Sequence, residues 1–270
     1  MRKITRSMQP NMLSVAIFFL AVCVPFSGCK AIRVAVPEPD LRHANTASQE
    51  GDIAFARKDF YTALIKYLES VRFNPNSEYV YNKLGIAYSQ LTYLQQAAES
   101  FEHSIQLNPK YTFAYNNLGS VYFAQKNLKK AEKCFKKAIN LKDDEASFYM
   151  NLGSLYLEKK KRNKAIAEWR KGLAIDPNVL SKNSSVSLIG GASPSKERHY
   201  FMARLLAAEG KTELAIESLK LAINEGFTDI ESVRKEHDFD PIRKDERFID
   251  FMEQTDLLIR LKAKVGLPGN

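Results

Sequence analysis

The feature that most constrains this chain is a period. Gly51, Gly85, Gly119 and Gly153 stand 34 residues apart, and so do Ala63, Ala97, Ala131 and Ala165. An aromatic residue follows each of these alanines by four: Tyr67, Phe101, Phe135 and Trp169. Leu84, Leu118 and Leu152 precede three of the glycines, and Tyr88, Tyr122 and Tyr156 follow them by three. Pro75, Pro109 and Pro177 close three of the four units, with Asp143 in that place in the other. Several classes of position recurring in phase indicate a stack of like supersecondary units rather than a single globular core. Only 10 prolines and 12 glycines in 270 residues leave room for long helices.

The spacing has a mechanical reason. With Ala44, Glu78, Thr112 and Ala146 each taken as position 1, positions 4, 7, 8 and 11 fall on one stripe of a first helix. Glycine at position 8 and alanine at position 20 let two helices approach, and the aromatic at position 24 fills the space beyond. Proline sits where the second helix must stop, because it cannot continue the hydrogen-bond ladder. This pattern resembles the tetratricopeptide repeat, one helix–turn–helix in 34 residues. The resemblance implies an all-α fold, a superhelical α-solenoid of about five such repeats with a C-terminal capping helix.

Four clear repeats cover residues 44–179. A fifth, divergent one is expected over 196–227, where Ala203, Ala215, Leu219 and Ala222 fit positions 8, 20, 24 and 27. Residues 180–195, rich in Ser and Gly, read as a flexible insertion between them. Residues 228–270 are expected to cap the stack, with Phe248, Phe251, Met252 and Leu258 of a final helix covering its end. The stretch GFTDIESVRKEHDFDPIRKDERF resembles endings of bacterial tetratricopeptide proteins and reads as structural.

The first 28 residues read differently. Arg2, Lys3 and Arg6 precede an apolar run from Met12 to Phe26, then Ser27, Gly28 and Cys29. A basic start, a short apolar stretch and small residues describe a secretory signal peptide. The run is shorter than the roughly 20 residues a membrane span needs. Phe-Ser-Gly-Cys resembles the bacterial lipobox, which implies that Cys29 is acylated, becomes the new N-terminus and holds the chain at a membrane. The alternative is a plain signal peptide with an incidental cysteine. Residues 29–43 then form a tether, and Lys30 in place of an acid points to the periplasmic side of the outer membrane.

Opposite the packing stripe of each first helix lie positions 2, 6, 9 and 13, which in the tetratricopeptide family line a concave groove. Position 6 reads Gln49, Lys83, Asn117 and Asn151. Amides both donate and accept, so such a row suits an extended peptide backbone. It is similar to the asparagine ladder in the O-GlcNAc transferase superhelix, with Asn117 and Asn151 as the strict matches. Tyr79 and Phe113 at position 2, beside Ile86 at position 9, add aromatic and apolar area that can anchor a partner. On the second helices Lys129, Lys130, Lys133, Lys136 and Lys137 form a convex basic patch. It is either a solvated face or a contact for anionic lipid, glycan or cell-wall polymer.

Catalysis has no constellation to rest on. There is no G-x-S-x-G, phosphate loop or H-E-x-x-H, and the four histidines are isolated. No cofactor or metal is expected. Nucleic acid is an unsuitable partner for an exported chain. Cys134, on the flank of a second helix, reads as a small packing residue. The expectation is a non-catalytic, lipid-anchored envelope scaffold that binds a protein or peptide. The alternative is an envelope carrier that holds an anionic polymer on its lysines.

Overall fold

The computed structural model describes residues 33–177, 179 and 196–264, and among these every regular element is helical. The expected signal peptide, Cys29 and the 180–195 insertion lie outside the described residues. Four helix pairs follow one another: α1 (Glu38–Ala56) with α2 (Phe60–Phe73), α3 (Glu78–Gln90) with α4 (Leu94–Leu107), α5 (Thr112–Ala124) with α6 (Leu128–Leu141), and α7 (Ala146–Glu158) with α8 (Arg162–Ile175). A fifth pair, α9 (Lys196–Ala208) and α10 (Thr212–Asn224), precedes α11 (Ile230–Lys235), a 3₁₀ turn (His237–Ile242) and α12 (Glu246–Lys264). The chain is an α-solenoid.

Helices α3, α5, α7 and α9 all begin at repeat position 1, but α1 begins six residues early. The segment 38–43, expected to be tether, is therefore helix. Pro37 caps it, a second proline stands in the first turn, and Glu38 and Asp40 complement the positive end of the helix dipole.

The glycine at position 8 is explained by the ring at position 24. A Cβ added at Gly51 or Gly85 would stand 2.6 Å from a ring carbon of Tyr67 or Phe101, and at Gly119 2.7 Å from Phe135. At Gly153 it would stand 2.4 Å from both Cδ1 and Nε1 of Trp169. The aromatic of each second helix lies directly on the bare backbone of the first. In the fifth repeat both members change together: Ala203 replaces glycine, Leu219 replaces the ring, and both are fully buried. Two repeats add a second lock, in which the Ser70 and Ser104 hydroxyls donate to the position-1 carbonyls of Ala44 and Glu78, each at 2.8 Å.

Each hairpin turns through one left-handed residue at position 15: Lys58, Thr92, Lys126, Lys160 and Gly210, with φ between 57° and 70°. The next residue's N–H closes the turn onto a carbonyl five back, as Tyr93 does to Tyr88 at 2.9 Å. This is a helix C-terminal motif that favours glycine. Thr92, exposed and β-branched, is the least suited of the five. Thr92→Gly is expected to raise stability by about 0.5–1 kcal/mol, the relieved strain exceeding the entropy of the more flexible unfolded chain. A thermal melt with a midpoint at or below wild type would refute this.

At the C-terminal end, Phe248, Phe251 and Met252 are buried, and Phe239 stacks on Phe248 with ring centroids 5.8 Å apart. Arg204 of α9 holds this end by donating to Asp238 at 2.8 Å and to Glu236 at 2.5 Å. Leu258 departs from expectation, because it is 48% exposed. Thr255 is the last buried residue of the α12 stripe among those described, so the helix continues past the body that supports it.

Candidate partner-binding face

First helices pack on one another from repeat to repeat, α3 on α5 and α5 on α7, which places them together on the inner side of the solenoid. That contact decides the fate of position 6. Asn117 Nδ2 donates to Asn82 Oδ1 at 2.9 Å, and Asn151 Nδ2 donates to Asn116 Oδ1 at 2.9 Å. Lys83 Nζ donates to Ser48 Oγ at 3.3 Å and to Asp52 Oδ2 at 2.7 Å. In each case position 6 of one repeat reaches position 5 of the repeat before. Asn117 and Asn151 are 9% and 4% exposed, so they are fasteners between repeats, not the open row of amides that the spacing suggests. Ile86 is likewise half-buried, packed against the cluster of Ala97, Phe101 and Leu118. Of the position-6 residues only Gln49 is exposed, because no repeat precedes it.

The aromatics remain open. Tyr79 is 57% and Phe113 38% exposed. Tyr111, which the sequence reading did not single out, joins them. Its ring meets Tyr79 edge-on at 5.1 Å and lies 6.1 Å from Phe113, which in turn meets the buried Phe148 at 5.6 Å. Edge-to-face pairing at these separations holds each ring in place. Lys142 Nζ stands 5.6 Å over the Phe113 ring. Burial, chiefly, with the Tyr79 and Glu78 charges behind it, pushes the Tyr111 phenol up to about 12. An aromatic at position 34, two residues before one at position 2, is the signal that would have found it.

The five lysines of the convex patch are all exposed, but not all are free. Lys136 pairs with Glu132 at 2.7 Å, and Lys130 Nζ lies 4.9 Å over the Tyr122 ring. Hydrogen bonds from Lys136 and Lys159 hold the Glu132 carboxyl down at about 2. Lys129, Lys130, Lys133 and Lys137 make no ion pair among the described residues and carry the unneutralised charge. Between these helices the Cys134 thiol is pushed up to about 11 by burial, which keeps it protonated and unreactive, in keeping with packing. Among the described residues no group of three metal-ligating side chains occurs, and no helix is long and apolar enough to cross a membrane.

Three of the helix pairs match the tetratricopeptide repeat. Family models described as tetratricopeptide repeat match residues 79–111, 112–144 and 146–179. The first and fifth helix pairs share the same register without being matched. No curated protein matches the chain in sequence. Among solved structures it is similar to PilF of Pseudomonas aeruginosa, at 18% identity, with 84% of this chain and 93% of that one covered and a TM-score of 0.56. It is also similar to a thermophilic TPR protein of Thermus thermophilus, at 17% identity, with 71% and 96% covered and a TM-score of 0.50. MamA of Desulfovibrio magneticus RS-1 aligns at 19% identity, with 75% and 99% covered and a TM-score of 0.49. At these identities the first two likenesses speak for the fold. Tetratricopeptide solenoids generally serve as scaffolds for protein–protein interaction, through the extended inner surface that stacking creates.

Proposed function

We propose that this chain is an envelope scaffold, held at a membrane through acylated Cys29, that binds an extended segment of a partner protein on its inner face. The observation that carries the binding site is the exposed pair Tyr79 and Phe113, braced by Tyr111 in adjacent repeats. With Asn117 and Asn151 committed to inter-repeat bonds, the partner is gripped by aromatic area rather than by a ladder of amides. Fixed rings add little ordering entropy on binding, and aromatic anchors dominate interface energetics.

Truncating Tyr79 and Phe113 to alanine is expected to weaken partner capture by about 1–2 kcal/mol, roughly 5- to 30-fold. Capture would be measured by crosslinking or proximity labelling in the native cell, with circular dichroism and a melt on the same variant. A stable double variant that still captures its partners fully would remove the aromatic site. It would favour the reading in which Lys129, Lys133 and Lys137 hold an anionic polymer. A variant that melts well below wild type would instead make the rings packing residues.

A further inference from the structure

Positions 18, 22 and 25 of every repeat point outward from the second helix, and their chemistry changes along the solenoid. In the second repeat they are Gln95, Glu99 and Glu102, in the third Lys129, Lys133 and Lys136, and in the fourth Asn163, Ala167 and Arg170. In the first they are Tyr61, Ile65 and Leu68, exposed at 62%, 62% and 40%. These three share one stripe of α2, and Arg72 continues it at the next turn. Tyr93 of the following turn, 42% exposed, lies beside Tyr61 and widens the apolar area. The stripe is not the uncovered end of the stack, because positions 18 and 22 of the second to fourth repeats are also exposed. Only in the first repeat is that outer face apolar.

We propose that this face is a membrane-resting surface, with Tyr61, Ile65 and Leu68 seated in the lipid interface of the bilayer that holds the anchor. The proposal rests on the lipid-anchor reading of Cys29. Three observations favour lipid as the occupant. The first is where the chain enters the fold: Val34 N–H donates to Asn76 Oδ1 at 2.9 Å, and Asn76 Nδ2 donates to Val34 O at 2.6 Å. Arg33 is therefore fixed beside the loop that follows α2, and four residues of covalent chain allow Cys29 a reach of about 14 Å from it. The second is the flanking charge. Arg57 and Lys58 before the stripe and Arg72 within its last turn are exposed and have no acidic partner among the described residues, which suits contact with anionic headgroups on either side. The third is the residue type, since a tyrosine and long aliphatic side chains on one helix face suit the boundary between headgroup and acyl chain. Seated this way, the first repeat lies on the membrane by its outer side, and the inner face with Tyr79 and Phe113 turns toward the aqueous phase.

The test uses the native acylated chain in vesicles of phosphatidylethanolamine and phosphatidylglycerol carrying brominated acyl chains. Trp169 is the chain's single tryptophan and is fully buried, so it serves as an internal reference. Separate Ile65→Trp, Gln95→Trp and Lys133→Trp variants each place an indole at position 22 or 18 of one repeat. The expected result is strong quenching and a blue shift for the Ile65→Trp variant, with neither for the other two. A membrane-bound chain whose Ile65→Trp variant is quenched no more than the Gln95→Trp variant overturns the proposal and leaves the anchor reading standing. Concentration-dependent dimerisation that shields the Ile65→Trp indole from acrylamide, with no quenching by brominated lipid, overturns it in favour of a second copy. The mass of the N-terminal peptide reads acylation independently, and an unmodified Cys29 overturns the anchor and this orientation together.

Discussion

Gly153→Ala is expected to destabilise the protein by about 2 kcal/mol, even though alanine is the better helix former by about 1 kcal/mol. The added methyl group would stand 2.4 Å from two atoms of the Trp169 indole. That ring cannot simply step aside, because its Nε1 donates to the Met150 carbonyl at 3.1 Å and no part of it reaches solvent. Overpacking of this kind costs about 1–3 kcal/mol or more, and nearest-neighbour coupling spreads the loss to the third and fifth repeats. The fifth repeat supplies the control. It buries Ala203 against Leu219, so Gly153→Ala combined with Trp169→Leu should destabilise less than the sum of the two single changes. Thermal or denaturant unfolding of the four proteins measures this coupling. Strict additivity, or a Gly153→Ala melt at the wild-type midpoint, would show that ring and glycine are not the matched pair described.

Cys29→Ser is expected to move the protein from the membrane fraction to the soluble fraction, provided the signal is still removed. Each buried methylene of an acyl chain contributes roughly 0.8 kcal/mol, so several chains hold a protein at a bilayer far more firmly than one amphipathic face can. On the proposed orientation the Tyr61–Leu68 stripe would direct the bound chain but would be too small to retain it. Fractionation should be read beside the size of the processed protein. A cleaved variant that stays with the membrane would count against lipid at this cysteine, and the protein would then be held by a partner.

Much of the fold was legible because a solenoid repeats its local rules. Glycine at 8, alanine at 20 and an aromatic at 24 define a hairpin by themselves, since each acts within one repeat. The same positions located the fifth repeat across the insertion, where Ala203, Ala215, Leu219 and Ala222 are all fully buried. The aromatics of the candidate site were legible too, in Tyr79 and Phe113. Tyr111 was not, because it belongs to the loop end of one repeat and acts on the next.

The sequence by itself determined the period, the helix pairs, the packing stripe and the class of protein, because these depend on contacts between residues fewer than 34 apart. The tertiary structure alone decided which outward positions stay open. Asn117 and Asn151 lie off the packing stripe of their own hairpins, yet adjacent first helices bring them against Asn82 and Asn116, each 35 residues away. A buried amide left unpaired is costly, so the Nδ2 groups of both side chains donate across the repeat boundary, although Asn151 Oδ1 finds no partner among the described residues, and the inner surface is left to the rings. Leu258 went the other way, apolar and on the continuing stripe of α12, but beyond the body that would have covered it. Both outcomes are set by how one repeat stacks on another, a geometry that no single repeat encodes.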